Sequence, residues 1–342
     1  MTDLLLDPWA EAIDEFPLTG TPEEQLRAVV KHAVLAPSGH NSQPWLFRVR
    51  DNHLDLLADR SRALPVVDPE DRELILSCGC ALFYLRTALR HFGCDPRVTL
   101  LPDAEDPDLL ARLTPGPQRT PTDLDHALFS GITRRRTNRF PFEDRPVPEA
   151  VLARARKAAE AEGGWLQTLF DESDRFALGD LIAEADRQQM ADRMFRRELA
   201  AWVHSNRSGS RDGMPGYARG AGNLASEIGP IVIRTFDVGK GVAAHDRDLA
   251  LGSPVLAVLW TEEENTLAWI RGGQALARLL LQLCADGVSV SYLNQPIEVA
   301  DLRARLRGLL GREGYPQIIL RLGFGREVRP TPRRPASAVI ID

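Results

Sequence analysis

Apolar residues recur at helical spacing after Thr21-Pro22-Glu23-Glu24, with Leu26, Val29, Val30, Ala33 and Val34 on one face. The four residues ahead of them read as a capping box with proline at the first helical position. Pro37 disfavours helical geometry at Ala36 and ends the helix. "WLFRVRDNHLDLLAD" predicts two strands joined by an Asp-Asn turn. Asp68-Pro69 opens a long predicted helix through "ELILSCGCALFYLRTALRHF", closed by Gly93. The proline-dotted stretch from Pro102 to Pro121 is the best candidate for a boundary between halves.

Beyond it the pattern predicts a helix running into "GITRRRTNRF", another from Pro148 to about Glu162, and a charge-rich helical segment from Ser173 to Val203. "HSNRSGSRDGMPGYARGAGN" carries no periodicity; a stretch of that size is a functional lid or disordered. The last part alternates: strand "PVLAVLW", helix Asn265 to Ala285, strand "VSVSYL", helix Leu302 to Leu310, strand "QIILRLGF". Such alternation predicts an α/β sandwich around one sheet. "ALFYLRTALRHFG" (81–93) aligns without a gap on "ALARLLLQLCADG" (275–287). Pro22-Glu23 with Leu26 likewise matches Pro148-Glu149 with Leu152, each proline-led helix running toward a tryptophan, Trp45 or Trp165. The chain reads as a duplicated unit whose halves have diverged.

Length allows two domains or one of doubled size: 342 residues, 44% hydrophobic and 26% charged. A net charge of −6 and a pI near 5.7 argue against a nucleic-acid partner. The start, "MTDLLLDPWAEAIDEF", has acids where a signal peptide needs bases, and no window reaches the ~20 apolar residues of a membrane span. Cys78, Cys80, Cys94 and Cys284 have no zinc-like spacing and read as buried structural thiols in a cytoplasmic protein.

Two stretches carry candidate chemistry. "APSGHNSQPW" (36–45) is denser in short hydrogen-bonding groups than a surface connection needs. "RRRTNRF" sets Arg134, Arg135, Arg136, Thr137 and Arg139 at a helix end; such guanidinium forks beside a hydroxyl suit a phosphate monoester. A solvated basic helix terminus is the plainer reading of those arginines taken alone. His40 reads as a polar loop residue without a catalytic role, and Tyr84, Trp202 and Trp269 as core rather than cofactor stackers.

Together the two stretches resemble the motifs of the nitroreductase superfamily of FMN-dependent oxidoreductases, and the doubled length resembles its Acg-type branch. The resemblance runs from about Pro22 to the C-terminus. It implies an α+β sandwich, of the α/β class in the broad sense, with helices around a mixed, largely antiparallel sheet: a duplicated nitroreductase-like fold forming a pseudo-dimer in one chain. Residues 1–115 would form the first half and residues 122–342 the second, with a lid-like insertion at about 198–223. The first half has the loop but no arginine motif, and the second the reverse, so the resemblance implies one FMN per chain.

By the same resemblance Arg135, Thr137 and Arg139 hold the FMN phosphate, helped by Arg333 and Arg334 of "TPRRPASAVI". Pro37, Ser38, Gly39 and Asn41 face the isoalloxazine, and Ser291, Leu293 and Asn294 its pyrimidine edge, while Arg136 is left as a surface residue. No protein nucleophile is required, since the cofactor carries the electrons. The implied activity is hydride transfer from NAD(P)H through flavin N5 to nitroaromatic or quinone-like small-molecule acceptors. The alternative is a flavin-sequestering protein whose lid blocks NAD(P)H; the intact two-part motif argues against a degenerate apo scaffold. A monomer is expected, because the fused pair needs no partner subunit.

Overall fold

The computed structural model describes residues 7–11 and 16–342. The acidic start "MTDLLLDPWAEAIDEF" therefore lies largely outside the described residues. After a short α1 (Pro8–Glu11), α2 (Pro22–Ala33) forms with the expected capping box: Thr21 accepts from the Glu24 amide, and the Glu24 carboxylate accepts from the Thr21 amide. β1 (Trp45–Arg50) and β2 (His53–Ala58) pair antiparallel across a turn where Asp51 takes φ 46°. α3 (Arg72–His91) begins later than Asp68-Pro69 suggests. Asp68 instead accepts from the Leu74 amide, and Asp71 takes the left-handed conformation that starts the helix. Gly93, at φ 85°, follows its end.

β3 (Arg97–Leu100) and β4 (Leu109–Thr114) come next. The proline-dotted stretch is thus more than a boundary: "LLARLT" lies between its prolines and pairs with both β2 and β3. α4 (Asp123–Arg134), α5 (Glu149–Glu160) and β5 (Gly164–Leu169) lead to α6 (Glu172–Ala191) and α7 (Arg193–Trp202). Those last two split the predicted helical segment at Asp192, whose side chain caps α7. β6 (Val203–His204) and β7 (Met214–Pro215) pair in parallel, so the aperiodic stretch carries structure of its own.

α8 (Asn223–Thr235) and α9 (Gly239–Leu251) were not legible in the periodicity. α8 contains Pro230 and leaves Leu224, Ile228 and Ile231 exposed, so no inward apolar stripe announces it. The chain finishes with β8 (Val255–Thr261), α10 (Thr266–Ala285), β9 (Ser289–Tyr292), α11 (Gln295–Glu298), α12 (Ala300–Leu310), β10 (Tyr315–Gly323) and β11 (Ile340–Ile341).

Two main sheets result, not the one sheet that the strand–helix alternation predicts, because the N-terminal strands pair among themselves and with the chain's last strand. One runs β11-β1-β2-β4-β3, antiparallel except for the parallel β11–β1 pair; the other, β5-β8-β10-β9, is antiparallel throughout. This is the mixed, largely antiparallel α+β arrangement expected. β11 joins the sheet of the N-terminal strands, with the Phe47 amide donating to the Val339 carbonyl, so the chain's last segment returns to its beginning. Between the sheets α3 and α10 cross, and every residue of α3 from Arg72 to Leu85 is buried. One apolar core joins both sheets through this pair, from Phe47 and Leu56 to Val255 and Leu320.

Candidate functional site

The loop after α2 is held in an unusual shape. His40, Asn41 and Gln43 all take positive φ (49°, 58° and 53°), a region sparsely used by side chains other than asparagine and glycine. Hydrogen bonds over-determine it. The Gln43 amide donates to Ser38 Oγ, and the Gln43 side chain donates to the Arg211 carbonyl while accepting from the Arg334 amide. Asn41 is the hub: its Nδ2 donates to the carbonyls of Gly213 and Pro332, and its Oδ1 accepts from Arg333.

The "RRTNRF" segment leaves α4 in extended form and lies against β9. Thr137 bridges Val290, and the Asn138 amide donates to the Val290 carbonyl. Arg321 of β10, 1% exposed, fixes it from below by donating to the carbonyls of Asn138 and Phe140. Arg135 turns inward instead, its Nε donating to Tyr84 Oη at 2.9 Å. Tyr84 is thus a core residue, as expected, and it also orients the cation.

These segments wall one cavity of about 360 Å³. Pro37, Ser38, Gly39 and Asn41 line it from the loop; Arg135, Thr137 and Arg139 from the arginine segment; Ser291, Leu293 and Asn294 from the end of β9; and Arg333 from the C-terminal return. A smaller chamber of about 250 Å³ adjoins, sharing Arg135, Thr137, Thr331 and Arg333 and adding Arg136, Arg326 and Arg329.

Two expectations need correcting. Arg334 does not reach the cavity: its guanidinium donates to the carbonyls of Gln43 and Ala338 and pairs with Asp59, holding the loop from behind. Arg136 is not a free surface residue; it lies over the Trp9 ring at 3.9 Å and lines the smaller chamber.

The charges are poised for an anion. Burial, followed by the repulsion of Arg135, lowers Arg333 to about 9; burial, followed by Arg219, lowers Arg139 to about 10. A desolvated cation without a counter-charge gains when an anion arrives. Burial together with Arg219 and Arg139 holds His40 down at about 4, so its imidazole is neutral near pH 7.

Comparison with known proteins then decides the family. A Mycobacterium tuberculosis (strain H37Rv) protein named "Putative NAD(P)H nitroreductase Rv3131" is 36% identical over 324 residues, covering 93% of this chain and 91% of its own. The chain belongs to the NAD(P)H nitroreductase family. The relative "Putative NAD(P)H nitroreductase acg" from the same strain is 29% identical over 332 residues, covering 94% of this chain and 97% of its own. Among solved structures, the FMN-dependent nitroreductase NfnB from Mycobacterium smegmatis in complex with NADPH aligns with a TM-score of 0.40 and 21% identity, over 63% of this chain and 97% of that one. No protein-family profile matches the chain.

Sequence reasoning missed part of this nitroreductase-family site. His40, set aside as an idle loop residue, lines the cavity, as do Arg219 from the turn Gly216–Arg219, Tyr292, Asp186 on α6 and Asp246 on α9. Asp186 and Asp246 sit on helices among many other charges, and no spacing marks them. The one usable signal was the glycine- and arginine-rich composition around Arg219. Cys78 and Cys80 are buried, as expected, and burial raises both thiols above their usual range. Cys94 and Cys284, also expected to be buried, are only half-buried, because they sit at or just past the ends of their helices. Among the described residues no cluster could hold a metal ion, and no helix is long and apolar enough to cross a membrane.

Proposed function

We propose that the chain is an FMN-dependent oxidoreductase, one FMN per chain, using NAD(P)H to reduce nitroaromatic or quinone-like acceptors. One observation carries this reading: a loop near residue 40, an arginine segment near 137, the end of β9 and a C-terminal arginine meet around a single cavity. The donors present suit the cofactor. Tyr292 Oη and Arg333 Nε are buried there without hydrogen-bond partners among the described residues, and Arg139 donates to the Met214 sulfur, a weak acceptor. Such orphaned donors are expensive to leave unmade. Arg135, Thr137 and Arg139, with Arg333, would hold the phosphate, while the Pro37–Asn41 turn and Ser291–Asn294 would flank the ring. FMN, when bound, supplies the two-electron chemistry; the residues around it orient it and exclude water. The halves would be copies of one unit, residues 1–115 and 122–342, a reading supported by the reciprocal contact of α3 and α10. A monomer then suffices.

A specific contact favours a second reading, flavin sequestration. The Gly213 amide donates to the Asn41 carbonyl, and Met214 and Arg219 wall the cavity, so the segment around 203–222 is tied across the loop. Absorbance of the purified protein and anaerobic addition of NADPH or NADH separate the two. Bleaching at turnover speed supports a reductase, and bound flavin that stays oxidised supports sequestration. A colourless protein that cannot be reconstituted sinks both.

A further inference from the structure

On the wall of the same cavity, α6 and α9 bring two carboxylates together. Gln295 Nε2 donates to Asp186 Oδ1 at 3.1 Å and to Asp246 Oδ2 at 2.7 Å. Asp186 is 3% exposed yet lines the cavity, and its Oδ2 has no hydrogen-bond partner; neither has Gln295 Oε1. The amide thus turns its donor toward the two acids and leaves its acceptor open beside an open carboxylate oxygen. What remains is a set of acceptors with no donor to meet them. An ammonium group offers three donors and no acceptor, and so matches it; a hydroxyl offers one. Arg219 acts on both carboxyls through space, with Arg187 on Asp186 and His245 and Arg321 on Asp246, yet no described residue donates to Asp186 Oδ2, and Arg321 is committed to the Asn138 and Phe140 carbonyls. Phe195, Leu199 and Val242 form an apolar wall of the same cavity, suited to a ring.

We propose that Asp186, Asp246 and Gln295 form a subsite for a protonated amine carried on an aromatic acceptor, so that the chain prefers cationic arylalkylamines to neutral or anionic isosteres. The substrate class rests on the reductase reading above, whereas the subsite itself can be read without turnover. Burial pushes both carboxyls up, Asp186 to about 7 with Asp246 as the next cause, and outweighs the opposing charge of Arg219 on each.

Three probes differing only in charge test this: 4-nitrobenzylamine, protonated at neutral pH, 4-nitrobenzyl alcohol and 4-nitrobenzoate. Affinity is measured calorimetrically on the full-length protein as purified. The ammonium is expected to bind about tenfold or more tighter than the alcohol, as a charge-assisted hydrogen bond outweighs a neutral one, with the benzoate weakest. The double variant Asp186→Asn, Asp246→Asn should bring the three within about threefold, while Asp186→Glu keeps the order. Single Asp186→Asn, expected to lose at least about threefold for the ammonium alone, serves if the double variant does not fold. Equal wild-type affinity for ammonium and alcohol overturns the subsite, as does a preference that survives in a folded double variant. A protein without flavin that still selects the ammonium would overturn the cofactor reading and leave the subsite standing.

Discussion

Gly79 of α3 and Gly273 of α10 face one another at the helix crossing, each in the place where the other's helix has no room for a side chain. A Cβ on Gly79 would lie 2.4 Å from the Ile270 carbonyl oxygen, and one on Gly273 would lie 2.1 Å from that of Leu76. The contact is reciprocal, as across a two-fold axis: position 79 meets 270 and 273, and position 273 meets 76 and 79. The obstructing atoms are backbone, which cannot rotate aside. Gly79→Ala and Gly273→Ala should each lower the urea midpoint, by about 1–3 kcal/mol in stability, as overpacked core positions do. An unchanged midpoint would mean the helices slide apart freely.

The arginines divide by destination. Replacing Arg135 and Arg139 together by alanine should weaken FMN binding by at least about a hundredfold, two charge-assisted contacts being worth about 1.5–3 kcal/mol each. Circular dichroism should show the fold retained. Arg334→Ala is the contrast, because its guanidinium faces Gln43, Ala338 and Asp59; flavin retention should stay within about threefold of the parent. Flavin titration checks both, and equal losses in the two variants would refute the division.

Asn41 joins three distant parts of the chain, the loop, Gly213 and the C-terminal return, at a left-handed φ that alanine tolerates poorly. Asn41→Ala should cost about 2–3 kcal/mol, since it leaves buried partners unmade. Hydrogen exchange should rise first at residues 206–216. Uniform exchange across the chain would argue that the segment is held by other contacts.

Glu298 gives a pH dependence of definite sign. Burial, then the nearby Glu73, pushes its carboxyl from an ordinary 4.5 up to about 8. Between those values the folded state holds a proton that the unfolded state has released, so rising pH favours unfolding. Gln189 Nε2 donates to the Glu298 Oε2 at 2.6 Å, and glutamine can keep that acceptor. Relative to Glu298→Gln, wild-type stability should therefore fall as pH rises from about 4.5 to about 8. Parallel stability curves for the two proteins would contradict the buried-acid assignment.

Local chemistry made much of this legible. The Thr21–Glu24 box, the Asp51–Asn52 turn and Gly93 rest on interactions within a few residues, and each forms as read. "PSGHN" and "RRTNR" stood out because their composition departs from what their local roles require. Arg334 and Arg136 went the other way. Adjacent arginines look alike in a string, and only the direction of the chain's return sends Arg333 inward to Asn41 and Arg334 toward Asp59.

The residues alone determined the type of the strongly periodic elements, the capping and turn signals, the two motifs and, through them, the family resemblance. Those depend on short-range periodicity and on side-chain identity, which a linear chain carries. Tertiary structure decided what shares a cavity: Asp186 on α6 with Asp246 on α9, Tyr84 behind Arg135, and the last strand against the first. The physical reason is that burial and unmet hydrogen bonds are properties of neighbours in space. Residues 51 or more positions apart, as Tyr84 and Arg135 are, acquire such neighbours only once the core closes around α3 and α10.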